Sequence, residues 1–222
     1  MKKVAITGAK GRVGSALAKN IDKTKYELTL LDLPEHDVTD LEHLREVLKD
    51  HYAVVHCAWK ELNFRENKFS SDDPLMTYNV YQAALDLGVS RVVMASSNHA
   101  NNHDNRNKQG KLTVDIPPVP DSPYGAAKVF MEALGKYYAS KGLGVVCVRI
   151  GNLNAEDEPK PLSEENPQRW LSYKDWTHLV ELALEAPQIP NNFVLLNGVS
   201  KNQLQIFDWS NPLGWEPQDS AK

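Results

Sequence analysis

The chain has 222 residues, enough for one well-buried domain and too few for two full ones. Its 25 Lys and Arg against 29 Asp and Glu give a formal charge of -4 and a sequence pI near 6.0. That balance excludes a strongly basic surface for nucleic acid or anionic membrane and leaves a small molecule as the expected partner. Cys57 and Cys147 lie far apart inside apolar runs and are expected to be buried free thiols of a reducing compartment. No apolar stretch is long enough for a signal peptide or a membrane span, so the expected location is the cytoplasm.

In chain order, short β-branched runs predict strands over residues 3–7, 26–31, 53–57, 91–95 and 144–149, with a sixth near 193–196. Helices are predicted over 14–21, 40–48, 74–87, 123–141 and 173–186, several opening after Asp or Ser at an N-cap position. Regular alternation of strand and helix predicts an α/β fold, a Rossmann-type doubly wound parallel sheet in one domain (1–222). Three stretches break the rhythm, 59–71, 98–121 and 152–172. Each follows a predicted strand, the side on which open α/β sheets bind ligands, so they form the expected small, loop-built substrate part together with the C-terminal segment.

Thr7-Gly8-Ala9-Lys10-Gly11-Arg12-Val13-Gly14 follows the first strand and enters the first helix. In that setting Gly8 makes the turn, Gly11 lets backbone N–H groups approach a pyrophosphate, and Gly14 allows close packing. Asp32 ends the second strand about 20 residues beyond the loop, where a carboxylate can accept hydrogen bonds from both hydroxyls of an adenosine ribose, which favours NAD over NADP. Lys10 and Arg12 are the cations that could instead face a 2′-phosphate. Asp37 and Val38 follow as candidates for the adenine edge.

Tyr124 and Lys128 stand four apart at the start of a predicted helix and so share a face. A phenol is a poor base at neutral pH. A nearby ammonium and the positive nicotinamide are expected to lower its pKa, so that Tyr124 takes a proton from a substrate hydroxyl as hydride leaves the same carbon. Ser97, at the tip of the fourth strand, is placed to donate to the same oxygen, while a local hydroxyl turn to the backbone fits Ser96 better.

In this order TGAKGRVG, LLDL, VVHCA, VVMASS, YGAAK and VRIGN resemble the extended short-chain dehydrogenase and epimerase family, over residues 3–152. The resemblance implies that Gly8, Gly11, Arg12, Val13 and Gly14 hold the pyrophosphate of NAD, Asp32 the ribose, and Asp37 and Val38 the adenine. It places Cys57, Ala58 and Ser96 along the cofactor cleft, with Asn79 on the helix beside the nucleotide. Ser97, Tyr124 and Lys128 would be catalytic.

Within that family, ASSNHA (95–100), YGAAK, VRIGN and RWLSYKDW (169–176) are similar to uronate dehydrogenases. This implies oxidation of a uronic acid at C1 to an aldarolactone, with Ser97, Asn98, His99 and Asn152 contacting the sugar and Arg169 forking its carboxylate. The Asn-rich loop at 101–107 and the Trp-Lys-Glu-Leu-Asn-Phe-Arg segment from Trp59 depart from those enzymes. Lys60, Arg65, Lys108 and Lys111 in these loops would serve a sugar phosphate instead, as in the related glucose-6-phosphate dehydrogenases. His99, His103 and Asp104 lack a third convincing ligand, and no metal is expected. An epimerase or dehydratase that keeps its NAD, and an NAD-sensing binding protein, are the other readings. The family also implies a homo-oligomer.

Overall fold

The computed structural model describes residues 1–60, 68–101, 111–161 and 169–221. The described strands are β1 (Lys2–Thr7), β2 (Tyr26–Leu31), β3 (Ala53–His56), β4 (Arg91–Ser97), β5 (Gly144–Ile150) and β6 (Phe193–Gly198). All pair in parallel in the order β2-β1-β3-β4-β5-β6. The helices are α1 (Arg12–Asn20), α2 (Leu41–Val47), α3 (Asp72–Asp86), α4 (Pro123–Ala139) and α5 (Tyr173–Glu185).

The central strands read as unbroken apolar runs because both faces are covered: β3, β4 and β5 are buried at every position. On one face α1 and α5 pack with Leu17, Trp176, Leu179 and Val180 against Val55, Val93 and Val148. On the other, α2, α3 and α4 pack through Leu44, Val80, Tyr81 and Met131 against Val54, Val92 and Cys147. Chain direction across the sheet reverses between β1 and β3. The crevice beyond the carboxyl ends of those strands is where such a sheet accepts a ligand.

Side-chain caps fix the two helices that matter for the site. The Ser122 hydroxyl accepts from Gly125 N at 3.1 Å to start α4, with Pro123 in its first turn, and Ser172 accepts from Asp175 N at 3.0 Å to start α5. No helix among the described residues is long and apolar enough to cross a membrane.

Several element ends differ from the expected ones by a residue or two, and those nearest the cleft matter most. β4 and β5 run on to Ser97 and Ile150, because Ser96 pairs with Arg149 and Ser97 with Ile150 in register. β3 ends at His56, so Cys57 is half-buried where the chain leaves the sheet, whereas Cys147 is fully buried inside β5. Burial pushes the Cys57 thiol up to about 12, which leaves it a neutral, unreactive group.

Candidate active site

Gly8 takes φ +65°, and a Cβ there would lie 2.6 Å from Ala58 N. Only glycine makes this turn at this distance from the end of β3. Gly11 N bonds to Gly8 O at 3.0 Å, which closes the loop and delivers the chain into α1, whose N-cap residue Gly11 brings no side chain to the first helical N–H groups. A Cβ on Gly14 would meet Gly8 O at 2.3 Å, so this glycine packs the helix onto the loop itself rather than onto the sheet.

Asp32 accepts from Lys10 N at 2.6 Å and from Leu33 N at 2.9 Å, which fixes its carboxylate beside the loop. The Lys10 ammonium is held by Leu33 O at 2.8 Å and by Glu35 at 3.1 Å, and Arg12 donates to Leu153 O at 3.3 Å. Both loop cations are therefore engaged within the chain. Asp37 accepts from Thr39 N and Oγ1 at 2.9 and 2.7 Å, and these hydrogen bonds hold its carboxyl below the usual carboxylate range. The Val38 side chain is buried in the core. The Asn79 amide donates to Val38 O and Thr39 O at 3.2 and 2.8 Å. Asn79 thus holds the loop of Asp37 and Val38 in place from α3, a more indirect position than the resemblance implied.

Ser97, Tyr124 and Lys128 come together at the carboxyl ends of β4 and β5. Ser97 and Tyr124 line the same cleft, and the serine hydroxyl acts to favour the ionised phenol. It also accepts from His99 N at 3.2 Å, so the local hydroxyl turn belongs to Ser97. The Ser96 hydroxyl instead goes to Glu132 at 2.5 Å. Here the sequence reading is corrected: Ser96 has its side chain turned into the core, because a buried carboxylate waits there.

Lys128 is 5 % exposed and donates to Ala95 O at 2.9 Å. Burial pulls its pKa down to about 8, against the attraction of Asp73. Its nitrogen lies 5.5 Å from the Tyr124 ring centroid and 4.2 Å from that of Trp59, which meets Tyr124 edge-on at 4.7 Å. Burial pushes the Tyr124 phenol above its ordinary value, with Ser97 and Arg169 acting in the opposite direction. Among the protein's own groups, desolvation of the phenol outweighs the cations around it.

A cleft of about 530 Å³ joins these groups to the loop. Gly11, Arg12 and Val13 line one end, with Cys57 and Ser96 along it. Ser97, Asn98, His99, Tyr124, Lys128, Asn152 and Arg169 line the other. Asn152 and Arg169 are brought there by a short parallel bridge in which Asn152 N bonds to Arg169 O at 2.6 Å and Leu171 N to Asn152 O at 3.1 Å. Asn98 is almost fully buried, and its Nδ2 is a donor with no partner among the described residues. His99 Nδ1 meets Asp121 Oδ2 at 2.8 Å, and its ring stands edge-on to Tyr124 at 5.7 Å. Burial and then Arg169 hold the imidazole below its ordinary pKa, with Asp121 opposing.

Gly8, Gly14, Asp32, Asp37, Val38, Ala58 and Asn79 lie outside the cleft lining. Lys60 pairs with Asp72, and Lys111 lies over the Trp209 ring at 5.6 Å; neither lines the cleft. Arg65, Lys108, His103 and Asp104 fall outside the described residues. The sequence reading had no place for Asp121 or Glu132 and noted Trp59 only as the start of a departing loop.

A profile of the NAD dependent epimerase/dehydratase family matches residues 4–172. The chain belongs to that family. NAD is accordingly its cofactor, and the glycine loop, the fixed Asp32 and the continuous cleft suit one. L-arabinose 1-dehydrogenase (NAD(P)(+)) of Haloferax volcanii is 34% identical over 255 residues, covering 100% of this chain and 98% of that protein. NAD-dependent glucose-6-phosphate dehydrogenase of the same organism is 31% identical over 257 residues, covering 98% and 94%. Among solved structures, a mutant uronate dehydrogenase from Agrobacterium tumefaciens complexed with NAD superposes with a TM-score of 0.83 at 27% identity, covering 100% of this chain and 86% of that one.

Proposed function

We propose that this member of the family is a sugar dehydrogenase that oxidises the C1 hydroxyl of a uronic acid to an aldarolactone. The observation that carries the reading is the gathering of Ser97, Tyr124, Lys128 and Arg169 around one cleft that runs on to the glycine loop. Relatives named for arabinose, glucose 6-phosphate and uronate support the coarser part, a dehydrogenase acting on a sugar.

NAD, when bound, accepts the hydride from C1. Gly8, Gly11, Arg12, Val13 and Gly14 would hold its pyrophosphate and Asp32 its ribose, and the cleft past Cys57 and Ser96 would take its nicotinamide half. Tyr124 takes the proton of the C1 hydroxyl, Ser97 donates to the same oxygen, and the Lys128 ammonium stabilises the phenolate. The C–H and O–H bonds of C1 are both broken, and a lactone carbonyl remains. Asn98, His99 and Asn152 face the sugar hydroxyls, and Arg169 forks the carboxylate. Asp121 selects the imidazole form: a carboxylate only accepts, so Nδ1 carries the proton in neutral His99 and Nε2 is the acceptor.

The test is absorbance at the NADH band with NAD and glucuronate, galacturonate, L-arabinose, glucose or glucose 6-phosphate. The uronates are expected to give the highest kcat/KM. A preference for the phosphate would transfer the anion site away from Arg169, and no signal with any of the five would end the dehydrogenase reading. On the cofactor side, Gly14→Ala forces a methyl against the Gly8 carbonyl. Overpacking of about 1–3 kcal/mol should weaken NAD roughly tenfold to a hundredfold by calorimetric titration. An unchanged Kd would mean that the loop does not hold the cofactor.

A further inference from the structure

Trp59 is the aromatic residue of the cleft to which the proposed reaction gives no role. It leaves β3 three residues past His56, half-buried, and lines the cleft between Cys57 and Tyr124. The backbone is pinned there from α3: Lys60 N donates to Asp73 Oδ1 at 2.9 Å, and Asp73 is 1 % exposed. Outside, the Lys60 ammonium pairs with Asp72. Two successive acids at the start of α3 therefore clamp the residue after Trp59 on both its backbone and its side chain.

What the clamp holds in place is an indole face over a buried cation. Lys128 has a single hydrogen bond among the described residues, to Ala95 O. An ammonium in such a site lacks the acceptors that water would give it, and its charged form is penalised. The groups facing it come from every packed element. They are Asp73 on α3, His56 on β3 and Cys57 after it, Cys147 on β5, and Tyr124 and Glu132 on its own helix; burial holds His56 neutral, with a pKa of about 3. Both thiols are neutral, Glu132 is bonded to Arg149, and Asp73 is bonded to Lys60 N. Beside the Ala95 carbonyl at 2.9 Å and the attraction of Asp73, the electron-rich face of Trp59 stands 4.2 Å from the nitrogen and compensates the charge from the cleft side.

We propose that Trp59 is a positioning residue for Lys128, its indole face keeping the buried ammonium charged and fixed beside Tyr124. Tyr124 in turn packs edge-on against the same indole at an interplanar angle of 87°, so one side chain sets the separation of phenol and ammonium. The inference rests on the reading of Lys128 as catalytic only for its consequence in turnover. The charge of the amine can be read with no nucleotide or sugar present.

The experiment is a ¹³C NMR titration of the lysine Cε resonances in the full chain, with Lys128 assigned by the signal lost in Lys128→Met. Trp59→Phe retains an aromatic face and should titrate close to the wild type, near pH 8. Trp59→Leu removes the face and should lower the midpoint by about one pH unit, a tenfold easier loss of the proton. Incorporated fluorotryptophan keeps the shape of the ring and weakens its face, and is expected to fall between them, which covers the case in which Trp59→Leu fails to fold. In turnover, the alkaline limb of kcat/KM should move with the midpoint. An unchanged midpoint in both Trp59→Leu and the fluorinated protein would overturn the proposal, whatever the enzyme oxidises. A normal shift with no sugar turnover would spare it and count against the dehydrogenase reading alone.

Discussion

Tyr124→Phe is expected to cut turnover by about a hundredfold or more while leaving NAD affinity close to the wild type. The two halves of that result have separate causes. The substitution keeps the ring, and with it the edge-on contacts to Trp59 at 4.7 Å and to His99 at 5.7 Å, so the wall of the cleft stands as before. Only the hydroxyl is lost, and with it the proposed acceptor for the proton of C1–OH. Because burial raises the phenol pKa, activity in the wild type should also climb with pH through the neutral range, as the base form becomes populated. The Phe variant should lack that climb. Steady-state rates across pH and calorimetric titration of NAD check both halves. A variant that loses rate and NAD affinity together would point to a damaged cleft instead of a missing base.

Glu132→Ala should destabilise the fold by about 3–5 kcal/mol, the range for removing one partner of a buried ion pair. Arg149 donates to both oxygens of Glu132, from Nε at 2.9 Å and Nη2 at 2.7 Å, with the two side chains 3% and 6% exposed. Removing the carboxylate leaves a guanidinium inside the sheet with no counter-charge and deprives Ser96 Oγ of its acceptor. Chemical denaturation should register the loss as a lower midpoint with an unchanged slope. Replacing Glu132 and Arg149 together by apolar residues of similar volume should recover most of it, because the desolvation of both charges is then avoided. Equal stability of Glu132→Ala and wild type would mean that the pair is not the strut between α4 and β5 that its geometry indicates.

The fold was legible because its signals are local. β3, β4 and β5 are continuous apolar runs, buried at every position, and the Gly8 turn sits at the first strand-to-helix junction where its backbone freedom is required. Even the exposed edge strand β2 was found at its true limits. Strand ends were less legible, since the last residues of β4 are set by pairing with β5, a partner remote in sequence.

The same division runs through the site. Tyr124 and Lys128 are one helical turn apart, and Ser97 ends a strand, so spacing alone proposes them. Asp121 reaches His99 across 22 residues and Glu132 reaches Arg149 across 17, and neither contact leaves a mark in local pattern. The local hydroxyl turn falls to Ser97 and not to Ser96 for that reason: Glu132, which captures Ser96, is remote from it in sequence. Burial, which the surrounding loops decide, pushes the Tyr124 phenol up, and local pattern carries no sign of it.

The central claim is that hydride leaves C1 of the sugar for NAD, and isotope transfer tests it most directly. With glucuronate deuterated at C1, each turnover should place one deuterium on the nicotinamide of the NADH formed, seen by mass spectrometry as a gain of one mass unit over the unlabelled reaction. NADH formed without deuterium would mean that the carbon oxidised is not C1, and would contradict the account.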